Sequence, residues 1–385
     1  MIDNVVYLDN NATTQLDERV FNKMLPFFMQ SYGNPDSKYY QQAELAKKAV
    51  EKSREQCAKL IGAKSEEIYF TSGATESNNI AIKGFCLANF SQGKHIVTSL
   101  IEHSSVLEPI KELQESGFNV TCVKPNHYGM ISAEVIEDVI TNDTILVSVM
   151  LANNELGTIN PVDQIAEICH KKNVFFHCDS TQGIGKIQFQ INKIPVDMIS
   201  FTGHKIYGPK GVGGLFIKKK QPRIKIHSII KGGGQEKGLR SGTLNVSGIV
   251  GLGYACEFSG KLRVDESNRI QILSDKLIKN LSSIEAITFN NHPVKRLPGT
   301  INFSIDGIDA ESLLSRIADR VALSSGSACS SKKTEVSHVL KGIGLTDSVA
   351  KSTIRISIGR FNTEEEIDNA IEILKQEIKQ LRTLL

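Results

Sequence analysis

Lys205 closes the run Ser200-Phe201-Thr202-Gly203-His204-Lys205, just after an apolar strand and among residues small enough to let a ligand reach its ε-nitrogen. A lysine so placed can hold a carbonyl compound as a Schiff base, although a lone lysine is more often simply solvated. The upstream run Val174-Phe175-Phe176-His177-Cys178-Asp179 tips the balance, because it ends in a carboxylate where open α/β sheets place ligands. Alone, Asp179 reads as a helix cap. Paired with a strand-end lysine downstream, it supplies what pyridoxal phosphate needs, a carboxylate for the pyridine nitrogen and an amine for the aldehyde. Ser72-Gly73-Ala74-Thr75-Glu76 follows a strand and opens a helix, so free N–H groups, the helix dipole and a threonine hydroxyl can converge on a phosphate. Such turns are often only structural. His103, at a helix start, can lie over a ring, although surface polarity is its commoner use. Cys329 lies in Ser324-Ser325-Gly326-Ser327-Ala328-Cys329-Ser330-Ser331, a loop-like run with little apolar mass to bury a thiol.

The elements that must position these groups alternate between short β-rich runs and helical stretches. Residues Ile68 to Phe70, His95 to Thr98, Val120 to Val123, Ile145 to Met150, Val174 to Cys178, Met198 to Phe201 and Gly214 to Ile217 read as strands. Helical periods run over Ala43–Leu60, with Gly62 as the closing glycine, and over Asp163–Lys171. The alternation predicts an α/β fold with a largely parallel, buried sheet. Beyond about residue 258 the texture changes to a long polar helix, strands at Thr300–Ile305 and Ile354–Ile358, and a final helix opened by the capping box Thr363-x-x-Glu366. We therefore expect a large domain over 15–257, and a small α+β domain from 1–14 and 258–385 that carries the Cys329 loop.

With 385 residues, 40% apolar and 23% charged, the composition is that of an ordinary globular protein. A net charge of +3 gives no reason to infer a nucleic-acid or anionic-membrane partner. An acidic N-terminal stretch and the lack of a long apolar run predict a soluble, cytoplasmic protein. Seven cysteines without a C-x-x-C pair predict neither a disulfide framework nor a metal site.

Taken together, Leu8-Asp9-Asn10-Asn11-Ala12-Thr13-Thr14, Gly33-Asn34-Pro35, Thr71 to Asn78, Asn153-Asn154-Glu155-Leu156-Gly157, Phe201 to Lys205, Arg240-Ser241-Gly242-Thr243, Ser325 to Cys329 and Ile354-Arg355-Ile356-Ser357 resemble the cysteine desulfurases. These belong to the class V aminotransferase group of pyridoxal-phosphate enzymes, fold type I, and the resemblance covers nearly the whole chain. It implies that Lys205 bonds the cofactor aldehyde, Asp179 pairs with the pyridine nitrogen, Gln182 donates to the ring oxygen and His103 stacks on the ring. Ala74, Thr75, Thr202 and His204 would hold the phosphate, with Thr243 reaching in from a second subunit of a homodimer. Asn11, Asn154 and Arg355 would bind the substrate, L-cysteine, and Asn154 would also face the cofactor. Cys329 would take the sulfur as a persulfide and pass it to an acceptor or scaffold protein, in iron–sulfur assembly or a thiolation pathway. Two departures stand out: Tyr39-Tyr40 occupies a position where many members carry a histidine, and Thr202 replaces a phosphate-binding serine while keeping the hydroxyl.

Two readings compete. An aminotransferase or selenocysteine lyase on the same fold needs Lys205 and Asp179 but not Cys329. A non-catalytic scaffold has no physical reason to assemble all three. The basic run Lys218 to Lys225 reads first as a solvated loop, with an acidic acceptor or tRNA as the sharper alternative. The stretch Lys231-Gly232-Gly233-Gly234-Gln235-Glu236 suits a dimer-interface loop leading to Thr243.

Overall fold

A computed structural model of the chain describes residues 5–325 and 336–384. The strands are β1 (Val6–Tyr7), β2 (Ile68–Thr71), β3 (His95–Ser99), β4 (Asn119–Val123), β5 (Thr144–Ser148), β6 (Phe175–Asp179), β7 (Met198–Thr202), β8 (Gly213–Ile217), β9 (Ile287–Phe289), β10 (Thr300–Ile305), β11 (Val321–Ala322), β12 (Ser324–Ser325) and β13 (Thr353–Ser357). Seven of them form the main sheet in the order β2-β8-β7-β6-β5-β3-β4. Its centre, β3 to β7, is parallel, and β2, β3, β5, β6, β7 and β8 are buried along their length, apart from a half-buried Phe175. Strands covered on both faces must be apolar throughout, which is why these runs show no clean alternation. One strand departs from the parallel expectation: β8 runs antiparallel to both β7 and β2. Only residues 203–212 join β7 to β8, too few for a crossover, which takes roughly a dozen residues or more.

The helix Gln41–Ile61 ends on Gly62, whose φ of 75° supplies the left-handed cap. Its buried face packs on the helix Val246–Leu281, which runs through the position where the sequence texture shifts. The first half of that helix is apolar and lies against the main sheet. Its second half contributes Leu273, Leu277 and Leu281 to a separate core around the smaller sheet, β12-β13-β10-β9. The terminal helix Glu364–Leu384 covers that sheet, and its capping box is formed: Thr363 N donates to Glu366 Oε2 at 3.1 Å and Glu366 N to Thr363 Oγ1 at 3.2 Å.

Near its start the chain crosses between the two sheets. Strand β1 pairs in parallel with β11, and Asn10 N donates to Ser357 O at 3.2 Å. Residues 8–14 thereby pass the C-terminal ends of β6 and β7, with a turn in which Ala12 N donates to Asp9 O at 3.0 Å. Of the cysteines, Cys57, Cys86, Cys169, Cys178 and Cys256 are buried, whereas Cys122 is exposed on the edge strand β4. Among the described residues, no helix is long and apolar enough to cross a membrane.

Candidate active site

At the C-terminal ends of the central strands lies a cavity of about 760 Å³. It is lined by Asn11, Ala74, Thr75, His103, Asn154, Asp179, Gln182, Thr202, His204, Lys205 and Arg355, so eleven side chains singled out in the sequence converge there. Thr243 does not: it is exposed and outside the lining. Cys329, with Lys332 and Lys333, lies outside the described residues. Ser325 before it and His338 after it both line the cavity.

Lys205 ends a short turn directly after β7, and its Nζ donates to Asn11 O at 2.5 Å and Ala12 O at 2.6 Å. Those carbonyls come from the N-terminal turn, a contact no sequence pattern announced. Asp179 is the last residue of β6. Its Oδ2 accepts from Asn78 Nδ2 at 2.9 Å and its Oδ1 from Thr181 N at 2.9 Å, bonds that fix the orientation of the carboxyl group. Asn78 also donates to Ser105 Oγ at 2.8 Å. Neither Asn78 nor Ser105 had been assigned a role, although Asn78 stands in the Thr71-to-Asn78 motif.

At the other end of the cavity the helical backbone runs from Ala74 to Asn89 through a π-helical turn at Ile80–Gly84. The N–H groups of Ala74 and Thr75 have no carbonyl one turn back to bond and can receive an anion. Close packing builds this corner. A Cβ at Gly213 would fall 2.6 Å from Gly73 Cα, so β8 must start with glycine for the turn to approach it. Thr202 gives its proton to Val212 O at 3.1 Å, and His204 Nδ1 lies 3.2 Å from Thr13 Oγ1. Burial, with Lys205, Lys210 and Lys186 nearby, pushes the His204 pKa down to about 4, so its ring is neutral at pH 7.

His103 caps the helix Ser104–Glu115, and its Nδ1 accepts from Ser105 N at 3.1 Å, which leaves the ring proton on Nε2. Burial lowers its pKa and outweighs the opposing pull of Asp179. Beneath it Glu102 is fully buried: Oε1 accepts from Ser99 Oγ at 2.6 Å and Met150 N at 3.1 Å, while Oε2 has no partner. Burial raises its pKa to about 8, against those two bonds.

The remaining wall belongs to the smaller sheet. Arg355 on β13 donates to Asp9 Oδ1 at 2.7 Å, Ser324 Oγ at 2.9 Å and Asn154 O at 3.1 Å. Its Nε is buried without a partner. A guanidinium set mostly against neutral oxygens, with donor capacity left over, suits a carboxylate ligand. Asn11 Nδ2 donates to Asn154 O at 3.1 Å and Thr300 Oγ1 at 2.9 Å, and Gln182 Nε2 donates to Asn11 O at 2.8 Å. The cavity can therefore bind an anion at one end, a carboxylate at the other and a carbonyl carbon at Lys205, with Asp179 facing from the sheet.

The family described as aminotransferase class-V matches residues 6–370. Cysteine desulfurase IscS of Methylobacillus flagellatus is 44% identical over 382 residues, which cover 98% of this chain and 93% of that protein. The human cysteine desulfurase is 45% identical over 380 residues, covering 98% of this chain and 83% of that one. A solved structure of a NifS-like protein superimposes with a TM-score of 0.91 at 38% identity, covering 99% of this chain and 100% of that chain.

Proposed function

The chain belongs to the class-V aminotransferases and, within them, to the cysteine desulfurases, and from that premise we propose that Lys205, Asp179, Arg355 and Cys329 carry the conversion of L-cysteine to L-alanine. The observation that carries the reading is the meeting of Lys205, Asp179 and Arg355 in one cavity with an anion corner opposite. That donor set fits pyridoxal phosphate: Ala74, Thr75, Thr202 and His204 for the phosphate, Asp179 for the pyridine nitrogen, Gln182 for the ring oxygen, His103 for the ring face and Lys205 for the aldehyde. When bound, this cofactor supplies an electron sink for negative charge at the substrate carbon.

The chain's own residues do the rest. Asp179, oriented by Asn78 and Thr181, would keep a proton on the pyridine nitrogen it faces. Arg355 and Asn154 hold the substrate carboxylate, and the partnerless Nε of Arg355 supports that role. His103 is neutral at pH 7, and with Nδ1 occupied it presents Nε2–H to the cavity. The Cys329 thiolate attacks the substrate sulfur: an S–S bond forms, the Cβ–S bond breaks, and its electron pair stays with carbon, which takes a proton to become alanine. The persulfide then passes to an acceptor protein. We further read the protein as a cytoplasmic homodimer in which Thr243 of the partner subunit completes the phosphate site, with 15–257 as the cofactor-binding lobe and 1–14 with 258–385 as the smaller lobe.

Cys329→Ser tests this. The variant should keep the visible band of the cofactor and still bind cysteine, yet lose sulfide release by orders of magnitude, because a protonated alcohol is a poor thiophile. Mass spectrometry should find one added sulfur on the Cys329 peptide of the wild type during turnover. Undiminished desulfuration by the variant would refute the assignment. Full activity on selenocysteine with none lost on cysteine would favour a lyase instead.

A further inference from the structure

Lys186 has no part in the chemistry above, yet it stands directly behind it. It follows Gly185, whose φ of 73° turns the chain, and enters a second cavity of about 50 Å³ that shares Asn11 with the active-site wall. Its Nζ donates to Gln182 Oε1 at 2.9 Å and Asn11 Oδ1 at 3.4 Å, two amides and no carboxylate. An ammonium has only protons to give, so each amide that faces it must present oxygen. Both amide nitrogens are then turned the other way. Gln182 Nε2 donates to Asn11 O, the carbonyl that also accepts from Lys205, and Asn11 Nδ2 reaches Asn154 O and Thr300 Oγ1.

The charges around Lys186 are uneven. Lys205 and Arg355 face it from the turn after β7 and from β13, while Arg263 and Glu266 line the same small cavity from the helix Val246–Leu281. Glu266 is engaged by Arg360 at 2.5 Å. Burial, then repulsion from Lys205 and Arg355, lowers the Lys186 pKa to about 7. Repulsion is mutual, so a charge on Lys186 also loosens a proton held at the Lys205 nitrogen.

We propose that Lys186 is a positioning residue: from behind the wall its ammonium pins the oxygens of Gln182 and Asn11, so that both N–H groups serve as donors on the cavity side, and its charge eases proton loss at Lys205. The inference rests on reading the cavity as the cofactor site.

The test uses holoenzyme carrying Lys186→Met, Lys186→Gln, Gln182→Ala, and Lys186→Met combined with Gln182→Ala. The midpoint at which the visible band titrates should rise by roughly one pH unit in both Lys186 variants. Cofactor should dissociate about tenfold more readily from Lys186→Met, as expected when a charge-assisted bond is lost. In the Gln182→Ala background the same change should matter clearly less than tenfold, since the nearer of the two amides through which it acts is gone. An unmoved midpoint in either folded variant, or a full tenfold loss persisting without Gln182, would overturn the proposal. Borohydride should fix the cofactor on Lys205 in every variant. A label on another lysine would sink the cofactor reading itself, whereas a Lys205 label with an unmoved midpoint would sink only the role of Lys186.

Discussion

Two buried clusters of charge lie close together and are built on opposite principles. Where the lobes meet, Arg360 lies 2.8 Å from Asp17 and 2.5 Å from Glu266, stacks on the Tyr207 ring at 4.1 Å, and receives the Tyr207 oxygen on its own N–H. Asp17 also takes Arg19 at 2.6 Å. Burial works against the Asp17 charge, but hydrogen bonds from Arg19 and Arg360 prevail and hold its pKa at about 2. Around the cavity the charges are only partly matched. Arg355 pairs with Asp9 at 2.7 Å yet also gives protons to the neutral oxygens Ser324 Oγ and Asn154 O, and behind the wall Lys186 meets only amides. Arg355 and Arg360, five residues apart, therefore have different work. A matched buried charge is already compensated and serves as architecture, while an unmatched one keeps a capacity that a ligand can fill.

Breaking the matched side should have the largest effect on the fold. Arg360→Met strands Glu266 and leaves Asp17 with Arg19 alone, and should cost about 3–5 kcal/mol in urea unfolding. A loss under about 1 kcal/mol would mean that the junction is not held by charge. On the partly matched side, Arg355→Met strands the more exposed Asp9 and should cost less stability than Arg360→Met, yet lower kcat/KM for cysteine by roughly a hundredfold, mostly through KM. Equal destabilisation by the two substitutions would erase the contrast.

The remaining effect concerns Glu102. Its pKa is raised from 4.5 to about 8, so between those values the unfolded chain releases a proton that the folded chain keeps. Stability must then fall as pH rises through that window. Glu102→Gln cannot titrate, and its urea midpoint should decline less than that of wild type between about pH 5 and about pH 8. Parallel declines in the two proteins would place the ionising group elsewhere.

Much of this was legible in the residues. The strands betray themselves as short apolar runs, and the site residues stand where those runs end, because catalytic groups must sit at strand termini facing a cleft. The reversed direction of β8 was also readable, from the short link 203–212, but a period-two pattern says nothing of direction. Lys186 was not readable. On sequence it is one more lysine near a glycine, and its meaning comes from Asn11, 175 residues away, brought behind it by the fold. The carbonyls that hold Lys205 were hidden for a different reason: backbone acceptors belong to every residue and leave no trace in composition. Glu102 sat beside His103 in the sequence, yet only burial on all sides gives its carboxyl an unusual proton affinity.

The docking of the N-terminal segment on β11 and β13 sets an order of events during synthesis. Asn11 N bonds Ser357 Oγ across 346 residues, an interval a ribosome needs roughly twenty to seventy seconds to translate. Through that time the main sheet can assemble, and Lys205 and Asp179 can take their places at its rim. The segment that carries Asn11 and Ala12 can meet Gln182, His204 and Lys205 early, but its remaining bonds must wait, since Leu8 N reaches Ala322 O and Ser357 N reaches Leu8 O. A nascent or prematurely terminated chain therefore presents a folded lobe with an unfinished pocket. Arg355, which lines that pocket, joins it only when most of the polypeptide has been made.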